Sequence, residues 1–303
     1  MEDIRNYDTF INIKPIDKGL SGDKKYYVET IDGQRLILRV SDISEYDRKK
    51  SAYERMEHMD NHNISMSRPI DFGVCDNGQS VYQLLTWCDG ESLDDISNSL
   101  SQTEQYRIGK KAGLLLQNIH QVPVKNADIT TTDWNERYSS FIDESIADFH
   151  KSGVKVNNAE LLLTYFNDNR CLLKSRPQCY THGDFHAGNL MVASEQELSV
   201  VDWEIHLFNS YGDPWHEVSI KESPHFFTGF IRSYFNGEPP EEYWRVLALY
   251  ESVSALSSIA WAYYLYPEFL EEKTQAAAGV LDNFNNMLKV IPVWYQADFC
   301  CHE

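Results

Sequence analysis

The chain has 303 residues, 42% of them hydrophobic and 24% charged, the make-up of a packed protein with room for one large domain or two lobes. This excludes a disordered, collagen-like or repeat-array chain. With 27 Lys and Arg against 46 Asp and Glu, the net charge is −19, so the general attraction to phosphate backbones or anionic lipid that nucleic-acid and membrane-surface binders rely on is missing.

In chain order, the first 85 residues read mostly as strands. Tyr26–Ile31 and Arg35–Val40 are β-rich runs separated by Asp32-Gly33, a two-residue hairpin turn. A polar, helix-permissive stretch runs from Glu45 to Met59, and Val81–Trp87 reads as another strand before Asp89-Gly90. After a composition shift near 88–92 the pattern turns helical. Ser101-Gln102-Thr103-Glu104 matches a capping box, and Ile108, Ala112, Leu115, Leu116 and Ile119 then share one helical face. Trp134, Tyr138, Phe141, Ile142, Ile146 and Phe149 repeat that spacing, with Gly153 as the stop. Asp213-Pro214 reads as an N-cap followed by proline at the first helical position, and Pro239-Pro240 and Pro267 open two further helices. Val246–Leu265 carries one charge, Glu251, but also four serines, and reads as a buried helix rather than a membrane span.

Charge and cysteine usage bound the setting. Residues 1–85 hold 15 acidic and 12 basic side chains, residues 86–303 hold 31 and 15, a surplus that either draws cations to the C-terminal part or serves solubility alone. The six cysteines form no Cys-x-x-Cys pair, and Met1–Arg5 lacks an apolar signal core. Reduced thiols and a cytoplasmic location are expected.

The sharpest signal lies in residues 180–203. Two short apolar runs, Leu190–Ala193 and Leu198–Val201, flank the polar turn Ser194–Glu197, which predicts a hairpin with a four-residue loop. Pairing Ala193 with Leu198 sets Asn189 directly across from Asp202. A carboxylate and a carboxamide so placed can share a hard cation such as Mg²⁺, with phosphate and water completing its shell. Asp184, five residues before Asn189, is the carboxylate that can accept the proton of an attacking hydroxyl. Another reading takes His182, Asp184 and His186 as zinc ligands of a hydrolase, but no convincing second ligand cluster accompanies them and Asn189 and Asp202 would go unexplained.

His182-Gly183-Asp184-Phe185-His186-Ala187-Gly188-Asn189-Leu190, with Val201-Asp202-Trp203-Glu204, resembles the aminoglycoside/macrolide phosphotransferase family, a small-molecule branch of the protein-kinase-like fold. The resemblance covers nearly the whole chain. It implies an α+β, bilobal protein-kinase-like fold, with a small β-rich N-lobe (1–87) that binds nucleotide and a larger, mainly helical C-lobe (88–303) for catalysis and acceptor. It implies ATP or GTP with Mg²⁺ as cofactors, Asp184 as catalytic base, Asn189 and Asp202 as metal ligands, and His182 as a support of the loop. Gly183 stands where protein kinases usually carry Arg. Only ten residues separate Asp202 from Asp213, too few for a typical activation segment, so a constitutive small-molecule kinase is expected. Glu217 stands where the family often has Asp.

In the N-lobe the resemblance makes Gly19, Ser21 and Gly22 part of a nucleotide-positioning loop. Arg39 becomes the cation for the α- and β-phosphates. Glu54, with Glu57 second, is its partner acid on the following helix. By the same analogy the Thr86 carbonyl and the Cys88 N–H receive adenine. His120 is expected to be a structural histidine at a helix end. On the acceptor side, Glu204, two residues past the metal Asp, and Glu251, set in apolar surroundings, are the candidate contacts to a small cationic antibiotic of aminoglycoside or macrolide type. A metabolic kinase for choline, fructosamine or a similar alcohol keeps the chemistry and changes the acceptor; a pseudokinase binding module would keep the fold alone. Neither nucleic acid nor membrane is expected as a partner.

Overall fold

A computed structural model describes residues 1–17, 22–203, 210–218 and 223–296. The chain forms two compact units, residues 1–100 with 182–210, and residues 101–181 with 211–303. The composition shift near 88 suggested a single boundary. Instead the chain leaves the first unit near 100 and returns to it for the segment that carries the hairpin.

The first unit is built on a five-stranded antiparallel sheet. Its strands are β1 (Phe10–Ile16), β2 (Lys24–Thr30) and β3 (Arg35–Asp42), then, after helix α1 (Tyr46–Asp60), β4 (Pro69–Cys75) and β5 (Ser80–Thr86), in the order β1-β2-β3-β5-β4. Alternation along β3 decides what each face does. Leu36, Leu38 and Val40 join Val28, Tyr82, Leu84, Cys75 and Ile4 in an apolar cluster on one side. Arg39 and Ser41 point to the other side, beside the cross-strand neighbours Lys25 and Gln83 of Arg39. Helix α1 packs on β4 and β5. Its buried positions Lys49, Ala52, Tyr53, Met56 and Met59 follow helical spacing.

The sequence pattern missed the two edge strands. β1 contains Lys14 and Pro15 and has no buried residue, and β4 opens on Pro69 with an irregular register before Asp71. Edge strands tolerate proline and charge, and so lose the apolar alternation that marks inner ones.

A short strand, β6 (Glu91–Ser92), and helix α2 (Leu93–Ile96) complete the first segment of this unit. The second unit holds α3 (Gln102–Gln121), α4 (Trp134–Ser152), α5 (Ala159–Asn169) and β7 (Cys179–Tyr180). The chain then forms β8 (Leu190–Val192) and β9 (Leu198–Val200) in the first unit. It ends in the second with β10 (Tyr211–Gly212), α6 (Pro214–Glu217), α7 (Pro224–Tyr234), α8 (Glu241–Leu265) and α9 (Leu270–Asn283).

In the helical unit the three predicted caps, at Ser101, Gly153 and Asp213, are present, and Asp133 supplies a further one. Ser101 and Glu104 form the capping box of α3, Asp133 caps α4, Gly153 ends α4 at φ +68°, and Asp213 caps α6. Helices α3 and α7 cross at glycines: a Cβ on Gly109 would lie 2.0 Å from the Phe226 carbonyl oxygen, and one on Gly229 2.3 Å from that of Tyr106. Asp213 is fully buried and accepts from Arg176 (2.6 and 3.0 Å), the Tyr250 hydroxyl (2.6 Å) and the Trp215 N–H (3.0 Å). His120, at the end of α3, lies 2.9 Å from Glu217 and 2.8 Å from the Tyr234 hydroxyl. It is held in a buried polar network. The apolar run 246–265 lies within α8, fourteen of whose residues are buried, and among the described residues no helix is long and apolar enough to cross a membrane.

Candidate active site

The hairpin β8–β9 is the frame of the site. Leu190 pairs with Val200 and Val192 with Leu198, and the turn Ser194–Gln196 is one residue shorter than expected, closed by a bond from the Ala193 N–H to the Glu197 carbonyl. The register therefore differs by one from the predicted pairing. Asn189 faces Val201, whose N–H donates to the Asn189 carbonyl at 2.9 Å, and Asp202 is not directly opposite it. A single residue turns Asp202 instead: its φ is +66°, a left-handed conformation that aspartate tolerates better than most side chains.

The hairpin is stitched into the first unit along both edges. β8 pairs with β6, while Ser65 and Ser67 exchange backbone hydrogen bonds with Val200. Gly90, at φ +102°, permits the contact beside β6, since a Cβ there would fall 2.1 Å from the Val192 carbonyl oxygen.

The loop 182–189 is organised from within. His182 is fully buried. Its Nδ1 accepts the Asp184 N–H at 3.3 Å, which leaves Nε2 to donate to the Val201 carbonyl at 3.1 Å. Its ring packs edge-on against Trp203 and Phe185. One imidazole thus ties the residue before Asp202 to the backbone of Asp184. Gly183 between them has φ +90°, open to glycine and strained for other residues. With both nitrogens of His182 committed, the zinc reading loses a ligand, and His182, Asp184 and His186 do not converge as a metal-sized cluster.

Asn189 is buried, and its Nδ2 donates to the Asp184 carbonyl (2.9 Å) and to Asp184 Oδ2 (3.1 Å). The amide group is thereby oriented so that Oδ1 is its acceptor face. The Asp184 side chain is 44% exposed and lies 3.5 Å from His186 Nε2. The hydrogen bond to Asp184 raises the His186 pKa, partly opposed by burial.

Asp202 Oδ1 accepts from Arg39 at 2.5 Å, and Oδ2 lies 3.9 Å from Lys25 Nζ. Burial pushes this carboxyl up, but Arg39 and Lys25 outweigh it and hold its pKa below the usual range. The Asp202 carboxylate and Asn189 Oδ1 are oxygen donors at the same end of the hairpin, the type that a hard divalent cation takes.

Arg39 is buried on β3, and the acids it meets are not the expected Glu54 or Glu57. Its Nε and outer nitrogen meet Asp23 Oδ2 at 2.9 and 2.7 Å, and Asp202 takes the third nitrogen. Glu54 is no partner of Arg39; its side chain is 57% exposed and lies 3.9 Å from Lys50. Glu54 and Glu57 fall outside the helical stripe 49–52–53–56–59 that faces the sheet, and the charged residue on that stripe is Lys49. Asp23, Lys25 and Lys49 were not singled out from sequence. The available signal was a lysine on an otherwise apolar helical stripe and an acid immediately after Gly22.

Of the other expected residues, Gly19, Ser21 and Glu204 lie outside the described residues. Gly22 is exposed, with open space where a side chain would go. Thr86 ends β5; its carbonyl accepts from Ser67 Oγ at 2.6 Å and keeps a second acceptor site, while the Trp87 N–H is taken by the Arg35 carbonyl. Burial pushes the Cys88 thiol pKa up to about 11, so it is not a nucleophile at neutral pH. Glu251 is half-buried on α8, close enough to Tyr138 and Tyr243 to act on their ionisation.

A model of the phosphotransferase enzyme family matches residues 12–255. No curated protein matches. Among solved structures, an amicoumacin kinase (hAmiN) in complex with AMP-PNP, Ca²⁺ and Ami is 13% identical, covering 94% of this chain and 91% of its own at a TM-score of 0.61. A GDP complex of an aminoglycoside 2′-phosphotransferase of type IIIa is 10% identical, covering 94% and 95% at a TM-score of 0.69. A putative fructosamine-3-kinase from Haemophilus somnus 129PT is 15% identical, covering 90% and 92% at a TM-score of 0.61. At these identities the likeness is one of fold, the α+β protein-kinase-like fold that the resemblance implied.

Proposed function

The chain belongs to the phosphotransferase enzyme family and is a small-molecule kinase; from that premise we propose that it transfers the γ-phosphate of ATP or GTP, with Mg²⁺, to a hydroxyl of a small cationic antibiotic of aminoglycoside or macrolide type. The observation that carries the chemistry is the commitment of the Asn189 amide to Asp184. It holds a half-exposed carboxylate in place and leaves Asn189 Oδ1 as an acceptor on the hairpin that also bears Asp202. Mg²⁺ on Asn189 and Asp202 would supply charge neutralisation for the phosphates.

In this reading Asp184 accepts the proton of the acceptor hydroxyl as its oxygen bonds to the γ-phosphorus and the bond to the β,γ-bridging oxygen breaks, releasing the nucleoside diphosphate. Asn189 and His186 orient Asp184. Arg39, anchored by Asp23, offers its guanidinium to the α- and β-phosphates, giving up Asp202 to do so. The second acceptor site of the Thr86 carbonyl and the Cys88 N–H, which no described residue accepts from, suit the edge of a purine. Gly19, Ser21 and Gly22 would cradle phosphate in a cytoplasmic enzyme.

The cationic acceptor is supported by the surplus of acid beyond residue 85, with Glu204 and Glu251 as its contacts. A metabolic acceptor is the second reading, favoured by the likeness to a putative fructosamine-3-kinase. A panel of aminoglycosides, macrolides, choline and fructosamines, assayed for nucleoside diphosphate release, tests both. Turnover on an antibiotic and little on the others is expected. Robust turnover of choline or fructosamine with none on antibiotics would overturn the acceptor class, and failure to bind any Mg-nucleotide would leave a binding module.

A further inference from the structure

Lys49 sits where a lysine is costly. Its side chain is 1% exposed, on the face of α1 that packs toward the sheet, and an ammonium so buried needs a close counter-charge. That partner is Asp23, 2.6 Å away and itself 5% exposed. The Gln83 side chain, across β3–β5 from Arg39, donates to the Lys49 carbonyl at 3.2 Å and fixes this turn of the helix against the strand. Asp23 also accepts from Ser41 Oγ at 2.6 Å and from Arg39 Nε at 2.9 Å, with a second Arg39 nitrogen in ion-pair contact at 2.7 Å. Burial alone would push the Asp23 carboxyl up, and Arg39, Lys49 and Ser41 overcome it, so the group is ionised. Charges therefore alternate as Lys49⁺, Asp23⁻, Arg39⁺, Asp202⁻.

A carboxylate facing Arg39 alone would cancel the charge that the guanidinium is to offer to phosphate. With Lys49 also on Asp23, that carboxylate's charge is shared between two cations and is not spent on Arg39 alone. The helix thus carries the cation and the start of β2 is preceded by the acid, the reverse of an acid on the helix supporting a cation on the strand. We propose that Lys49 is a positioning residue for nucleotide binding: it neutralises Asp23, so that Asp23 can hold the Arg39 guanidinium in place without quenching it. The inference rests on the nucleotide-binding reading above.

The test is calorimetric titration of the full-length protein with AMP-PNP and Mg²⁺. Lys49→Met should weaken binding by about tenfold, the scale of losing one close charge coupling in a partly buried site. Adding Asp23→Asn to that variant removes the uncompensated carboxylate and should restore affinity to within about threefold of wild type, because replacing both members of a buried pair leaves no stranded charge. A lysine that served folding alone would lower the melting midpoint and leave the nucleotide affinity of the folded protein unchanged. Wild-type affinity in Lys49→Met, or a double variant no better than the single one, overturns the proposal. If Lys49→Met does not fold, the double variant is compared with wild type directly, and a loss beyond tenfold overturns it. Arg39→Met separates the two levels. If wild type binds no nucleotide, or Arg39→Met binds as tightly as wild type, the nucleotide reading fails. If Arg39→Met weakens binding and Lys49→Met does not, only the role of Lys49 fails.

Discussion

Exchanging Asp184 for asparagine isolates the proton-accepting role assigned to it, because the shape stays and the charge goes. Asp184 Oδ2 accepts from Asn189 Nδ2 at 3.1 Å and lies 3.5 Å from His186 Nε2. The oxygen of an asparagine still accepts the first. The second joins side chains 44% and 54% exposed, and such a screened pair contributes at most about 1 kcal/mol. Folding stability should change by no more than that. The rate should change far more, since a positioned base contributes roughly 10²–10⁴-fold, about 2.7–5.4 kcal/mol of barrier. Three measurements on Asp184→Asn give the answer: nucleoside diphosphate release at saturating acceptor, Mg-nucleotide affinity, and a melting curve. Turnover is expected to fall at least about 100-fold, with affinity within a few-fold and melting nearly unchanged. Near-normal turnover refutes the base assignment. Loss of nucleotide binding with early melting would show Asp184 holding the loop together instead of serving the acceptor.

Three other outcomes follow from the packing and the charges. Gly109→Ala should lower the denaturation midpoint: the helix-propensity gain of about 1 kcal/mol is outweighed by overpacking, typically about 1–3 kcal/mol, because the new Cβ would meet the Phe226 carbonyl at 2.0 Å. A raised midpoint would refute the close α3–α7 crossing. Asp213→Ala takes the buried carboxylate from the Arg176 guanidinium, whose side chain is 6% exposed, and leaves it the exposed Glu242 at 3.8 Å; this should cost about 3–5 kcal/mol in chemical denaturation, and a cost under about 1 kcal/mol would show that the network contributes little. His186 should titrate above 6.5 by NMR and fall back toward it in Asp184→Asn, as its pKa is raised by the hydrogen bond to Asp184. A raised histidine pKa means that this pair stabilises the fold fully below pH 6.5 and is lost as pH rises through the raised value. A wild-type titration at or below 6.5 would refute the contact.

What could be read from sequence was local or carried by spacing along the chain. The Asp32-Gly33 turn between β2 and β3, the Ser101 capping box, the Gly153 stop and the Asp213-Pro214 start depend on backbone conformations and orphan donors that a few adjacent residues satisfy. The order His182, Asp184, Asn189, Asp202 pointed to phosphoryl transfer because a base and two oxygen ligands are needed on one loop and hairpin. The pairing of charges was decided by tertiary structure. A one-residue difference in the turn at 194–196 moved Asn189 opposite Val201, and the left-handed φ of Asp202 then aimed its carboxylate at Arg39. Helical phase took Glu54 to the surface and put Lys49 against Asp23. Ion pairs between residues 16, 26 and 163 positions apart leave no local trace, because their energy comes from burial that only the assembled sheet and helix provide.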